Sequence, residues 1–173
     1  MSVTPIRLYG DPVLRTPAAP VVDFDAELRQ LVADLTETMH AAGGAGLAAP
    51  QIGVGLRVFT MDANRDPEAP RAPLVLVNPE VTWASDTPNT YEEGCLSIPD
   101  QYGEVTRSAQ IRMRWLGLDG KTHDREFDEL WATCAQHELD HLDGVLFIDH
   151  LSAIKRQMIT RKMVKLKRDL ARA

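Results

Sequence analysis

From Phe24 the apolar residues Phe24, Leu28, Leu31, Val32, Leu35 and Met39 recur largely at steps of three and four. That period lays one hydrophobic stripe along an amphipathic helix, with acids in its first turn and Gly43-Gly44 as its stop. The preceding DPVLRTPAAP at 11–20 predicts one short helical turn plus a loop. The period then changes. Segments 56–61, 74–78 and 81–84 are short, apolar and β-branched, separated by Pro, Asp and Asn, and predict strands. Ile111, Met113 and Trp115 alternate with polar residues, and Leu118-Asp119-Gly120 turns the chain into 121–127, which predicts a hairpin. A helix follows over about 128–142, closed by Asp143-Gly144, and another from 151 to near the C-terminus. One block of strands flanked by helices predicts an α+β fold, and no internal repeat is visible.

The chain has 173 residues, 44% hydrophobic and 25% charged. These totals predict one domain over 1–173 with a real core, neither fibrous nor disordered. Its apolar stretches are too short to span a bilayer, and MSVTPIRLYGDPVL lacks a signal-peptide pattern. A cytoplasmic location without a membrane partner is the resulting expectation. Charge is unevenly spread. Residues 155–173 carry eight basic side chains and one acid, leaving 11 basic and 24 acidic residues elsewhere, so a tail of +7 follows a body of −13. Such asymmetry suits an anionic partner, or else a solvated helix face.

The candidate chemistry begins at His137-Glu138-Leu139-Asp140-His141. Residues four apart share a helix face, so both imidazoles can reach one ion, with Glu138 between them as a candidate general base. By itself this pattern also fits two surface histidines on an ordinary helix. Cys95, in EGCLS at 93–97, supplies a third donor; Cys with two His is a recognised catalytic set that leaves one position open. With only two cysteines in the chain, Cys95 and Cys134, a disulfide framework is not indicated. A second arrangement stays open at this point. Cys134, His137 and His141 stand at i, i+3 and i+7, and together with Cys95 they could close a structural Cys2His2 site. The third constellation is GAGLAAPQ at 44–51. No apolar strand precedes it and no lysine follows, so it does not read as a phosphate loop. Its small residues permit close backbone approach, and Gln51 offers an amide donor for a developing oxyanion or for capping the loop.

GAGLAAPQ, EGCLS and QHELDH at 136–141 together resemble, in order and spacing, the three signature motifs of peptide deformylases. The resemblance extends over nearly the whole chain. It implies antiparallel β-sheets around a central metal-binding helix, with an N-terminal helix and a long C-terminal basic helix at about 151–172. It also implies one divalent ion, Fe(II) in the cell with Zn(II), Ni(II) or Co(II) as substitutes, held by Cys95, His137 and His141. Glu138 would then serve as the proton acceptor, and Gln51 with the backbone N–H of Leu96 as oxyanion donors. Formyl-methionyl nascent peptides would pair along Gly46 and place the methionine side chain among Tyr91, Leu130, Thr133 and Cys134. Glu93 and Arg107 match an internal salt bridge of relatives, and Tyr102 stands where many bacterial members carry arginine. The last helix sets an apolar row (Ile159, Met163, Leu166, Leu170) beside a basic row (Arg161, Lys165, Arg168, Arg172), and the resemblance implies docking at the ribosome. A zinc endopeptidase and a non-catalytic metal-stabilised module are the competing readings of the same residues.

Overall fold

The computed structural model describes residues 2–64, 66 and 68–172. Helix α1 (Ala26–Ala41) starts on Asp25, whose carboxylate accepts the N–H groups of Glu27 and Leu28. That bond satisfies amides that have no partner inside the helix. Leu28, Val32, Leu35 and Met39 of the predicted stripe are buried, and Gly43 leaves the helix in the left-handed region at φ 68°. The short helical turn expected near residue 11 is a 3-10 turn, Pro12–Arg15.

A three-residue strand β1 (Gly46–Ala48) follows, then a 3-10 turn (Ala49–Ile52) and β2 (Val58–Met61). The two strands expected over 74–84 are one, β3 (Leu74–Ala84), with register shifts after Val77 and after Val81. Asn78 causes the first irregularity. It sits at φ 48°, while its side-chain amide exchanges two hydrogen bonds with the backbone of Val21. Strands β4 (Pro88–Cys95) and β5 (Ile98–Ser108) then form a two-stranded antiparallel ribbon where no strand is expected from the pattern. β6 (Gln110–Leu116) and β7 (Thr122–Asp128) are the predicted hairpin. The larger sheet runs β1-β2-β3-β6-β7, antiparallel throughout, with β1 at its edge.

Helix α2 (Glu129–Leu142) packs against β1, β2, β6 and β7 on one side and against β5 on the other. It therefore lies between the sheet and the ribbon. Its buried face includes Thr133, Glu138 and His141 among apolar residues. Burying such groups is unfavourable unless they are paired or bind something, so this face is where function is to be sought. Helix α3 (Ala153–Leu170) starts on Ser152 and buries Ile159 and Met163 against Leu14, Ile98, Val105 and Phe147. Leu166 packs on the edge of that cluster, whereas Leu170 is exposed, so the predicted apolar row leaves the core at its last member. Arg161, Lys165, Arg168 and Arg172 all face solvent. Among the described residues no helix is long and apolar enough to cross a membrane.

Candidate metal centre

The ribbon carries one donor and α2 the other two. β4 ends at Cys95, Leu96-Ser97 form a tight turn, and Ile98 pairs back with Cys95. Gly94 leaves room beside this tip for the Tyr102 ring, since a β-carbon there would lie 2.7 Å from it. On α2 the rings of His137 and His141 lie one turn apart, 5.0 Å between centroids and at 71° to each other. The donor atoms of Cys95, His137 and His141 all fall within 4.8 Å of one another, and Cys95 Sγ is 3.3 Å from His141 Nε2. Tetrahedral coordination at ordinary bond lengths separates donors by about 3.5 Å, so the three suit one ion.

The surrounding polar atoms agree with that fit. His137 Nδ1 meets Glu93 Oε1 at 2.8 Å, which leaves Nε2 for an ion. Burial opposes charge on His137, yet hydrogen bonds to Cys95 and Glu93 and the field of Glu138 raise its proton affinity well above the ordinary value. The opposite holds for His141, which burial and then the positive charges of His137 and Arg107 push well below it. The carboxylates of Glu93 and Glu138 thus favour positive charge at His137, a proton there being displaced when an ion binds, while His141 is already neutral. Cys134 stands apart. Its thiol lies 3.4 Å from the Ala45 carbonyl, and burial, then the charges of Glu138 and Glu93, push its pKa well up. Among the described residues, the convergent donor group contains three members and Cys134 is not one of them, which disfavours the closed four-donor site.

Glu138 is buried beside these donors, and its Oε2 has no hydrogen-bond partner. Burial above all holds its pKa up, at about 7. Gly46 lies against it: a β-carbon there would stand 2.5 Å from Glu138 Oε1 and 2.8 Å from Cys134 Sγ. The glycine is what lets the strand edge and the carboxylate share this space.

Glu93 goes beyond the internal salt bridge expected for it. Arg107 grips both of its oxygens, at 2.7 and 3.0 Å, and also reaches Asp140 at 2.9 Å. Burial would raise the Glu93 pKa, but hydrogen bonds from His137 and Arg107 bring it down to about 2. The pair thus fixes a ring that points at the metal position. Its signal in the sequence is two opposite charges at buried positions of neighbouring strands, and that signal appears only once the register is known.

A cavity of about 440 Å³ opens over the centre. Cys95, His137 and Glu138 line it together with Gly46, Gln51, Tyr91, Leu96, Leu130, Thr133 and Cys134, while His141 is buried behind them. Every expected site residue is therefore in the cavity or directly beneath it. Gln51 is held in a defined orientation. Its Oε1 accepts the Ala48 N–H at 2.9 Å, and its amide nitrogen reaches Ser97 Oγ at 3.1 Å and Cys95 Sγ at 3.5 Å. Among the described residues no backbone carbonyl outside the ladders takes the Leu96 N–H. Tyr102 lies at the cavity mouth with 63% of its surface exposed. Ser97 and Asp140 lie inside the quoted motifs, but sequence reasoning gave neither a role.

Known proteins are similar to this chain along most of its length. The family model for polypeptide deformylase matches residues 3–157. A peptide deformylase of Brucella suis biovar 1 is 49% identical over 166 residues, which is 96% of this chain and 94% of the relative. One from Mesorhizobium japonicum is 48% identical over 171 residues, covering 99% and 97%. Among solved structures, the peptide deformylase of Legionella pneumophila superposes with a TM-score of 0.90 at 41% identity over 99% of both chains. That of Ehrlichia chaffeensis in complex with actinonin gives 0.92 at 34%, covering 97% and 99%. A three-donor centre with a buried carboxylate, a match along most of the chain and near-identical folds lead to one assignment: the chain belongs to the polypeptide deformylase family.

Proposed function

We propose that this chain hydrolyses the formyl amide of N-terminal formyl-methionine on nascent polypeptides, releasing formate, and that residues 1–173 act as one catalytic domain. The observation that carries the reading is the convergence of Cys95, His137 and His141 beside a buried carboxylate oxygen that has no partner. A bound divalent ion supplies Lewis acidity, activating water near neutral pH and polarising the formyl carbonyl. The thiolate and imidazole donors accept Fe(II) or Zn(II), and it is membership of the family that carries the reading of Fe(II) in the cell, with Zn(II), Ni(II) or Co(II) as substitutes.

The chain's own groups do the rest. Glu138, buried beside the donors with one oxygen unpartnered, takes a proton from the attacking water and passes it to the departing amine. The Gln51 amide, held by Ala48, and the Leu96 N–H donate to the oxyanion. β1 leaves one strand edge open at Gly46, so the substrate backbone adds to it as a further strand, a mode that reads main chain rather than side chains. Tyr91, Leu130, Thr133 and Cys134 receive the methionine side chain. A formyl group has hydrogen where acetyl has methyl, so crowding beside the donors selects formyl. The exposed basic row of α3 docks the enzyme at the ribosome in the cytoplasm through sequence-independent phosphate contacts.

The test is incubation of metal-loaded protein with formyl-Met-Ala and, separately, with a longer unformylated peptide. Formate release from the first and no cleavage of the second is the expected result. Internal cleavage without formate would instead make the chain an endopeptidase, and inactivity on both with metal bound would make it a binding module.

A further inference from the structure

Asp140 has no part in the chemistry just described, yet it is tied to the centre. Its Oδ2 accepts from Arg107 Nη1 at 2.9 Å and meets His150 Nε2 at 2.8 Å. Arg107 turns its remaining contacts to Glu93, whose Oε1 is 2.8 Å from His137 Nδ1. An unbroken row of short polar contacts thus runs from His137 through Glu93, Arg107 and Asp140 to His150. It begins at a side chain 12% exposed and ends at one 36% exposed.

The links differ in what holds them. Glu93 and Arg107 are enclosed, and their two-point contact fixes their relative orientation. The guanidinium is a rigid planar fork, so its tilt is set by where both of its carboxylate partners stand. Asp140, with 24% of its side chain exposed, is the loose partner, because water competes for its oxygens. His150 is the protein group that holds it inward. The 3-10 turn that carries His150 (Phe147–His150) also lays the Phe147 ring along that of His137, 6.3 Å between centroids and 22° apart in plane. One turn therefore supports the same imidazole from its face and, at a distance, through its Nδ1.

We propose that His150 is a positioning residue for the metal centre: it holds Asp140, and through Arg107 and Glu93 sets the plane in which His137 presents Nε2 to the ion. The inference rests on the assignment of Cys95, His137 and His141 as the donors. His150 touches neither ion nor substrate, so its effect reaches the reaction only through ligand geometry.

The experiment compares Co(II)-loaded wild type with His150→Leu, which removes the contact, and His150→Gln, whose amide N–H replaces Nε2. Visible d–d spectra, Co(II) release into chelator, melting temperature and the separate values of kcat and KM are read. His150→Leu should shift the d–d bands, release Co(II) about 3- to 10-fold faster and lower kcat while KM holds. His150→Gln should restore release to within about twofold of wild type, on the same scale. A wild-type spectrum and release rate in His150→Leu would overturn the proposal. Equal impairment of both variants with equal loss of melting temperature would also overturn it, since that marks a packing role. A Cys95→Ser arm separates the two levels. If that variant retains the thiolate-to-Co(II) absorption of wild type, the donor assignment itself fails; if it loses the band while His150→Leu is unchanged, only the role of His150 fails.

Discussion

Replacing Arg107 by methionine would isolate the buried ion pair behind His137. The side chains of Arg107 and Glu93 are 6% and 5% exposed and make two hydrogen bonds to each other. Glu93 has a pKa of about 2 against an ordinary value of 4.5. At 1.36 kcal/mol per unit, that depression, owed to the hydrogen bond from His137 and then to Arg107, corresponds to about 3 kcal/mol of stability at neutral pH. Because the folded pKa is the lower one, this stability is present above pH 4.5 and is lost as the pH falls toward 2. Methionine removes the grip and leaves Glu93 with the imidazole of His137 alone. Stranding a buried charge typically costs about 3–5 kcal/mol, which in a domain of this size lowers the melting temperature by about 6–20 °C. Urea and thermal unfolding at pH 7, with chelator present so that metal binding does not contribute, measure the loss. Adding Glu93→Gln to Arg107→Met keeps an acceptor for His137 and removes the stranded charge, so the double variant should be less damaged than the sum of the singles. A single-variant loss under about 1 kcal/mol, or strict additivity, would refute this account of the pair.

Glu138→Gln should keep its metal and lose formate release by about 10²- to 10⁴-fold. Its pKa of about 7 lies above the ordinary 4.5, so ionising it costs stability as the pH rises through that window. Glu138→Gln should therefore stabilise the metal-free protein by on the order of 3 kcal/mol at pH 8 and by little at pH 4; a pH-independent gain in urea titrations would contradict this. Gly46→Ala drives a β-carbon to 2.5 Å from Glu138 and should lower kcat with metal content retained, alongside about 1–3 kcal/mol of overpacking strain. Wild-type kcat in that variant would show that the edge yields without moving the carboxylate. Charge reversal at Arg161, Lys165, Arg168 and Arg172 should leave formyl-Met-Ala turnover intact and reduce ribosome co-sedimentation, most of all at low salt. Truncation after Leu151 is the poorer probe, since it also removes Ile159 and Met163 from the core, each contributing about 1.5–3 kcal/mol.

The elements foreseen well are those whose burial follows hydrophobicity. α1 and β6 show their periods directly because their buried faces are mostly apolar, and β6 adds a turn signal at Asp119-Gly120, whereas α2 is marked by its Asp143-Gly144 stop. The ribbon β4–β5 escaped for the opposite reason. Its buried positions include Glu93, Gly103 and Arg107, so apolar alternation is broken where the functional groups sit. β1 is too short to show any period, and Asn78-Pro79 mimics a strand break although Asn78 only kinks a continuous β3. The three donors were readable because helix spacing and motif order constrain them. Whether Cys134 joins them was not, since i, i+3 and i+7 share a face. Its thiol turns to the Ala45 carbonyl in a space that exists only because residue 46 has no side chain. His150 has no local signature at all, because its partner Asp140 is ten residues away and that partner's other contact, Arg107, lies on a different strand.

The brevity of β1 has a consequence for a catalyst that must treat every new chain alike. Three residues at a sheet margin offer only a few main-chain donors and acceptors. That suffices to align the first residues of a polypeptide whatever its composition. It is too little for two copies of the fold, or a long unfolded segment, to zip together along the same margin. Generality toward clients thus comes with a substrate-side margin too short to recruit a second copy of the fold.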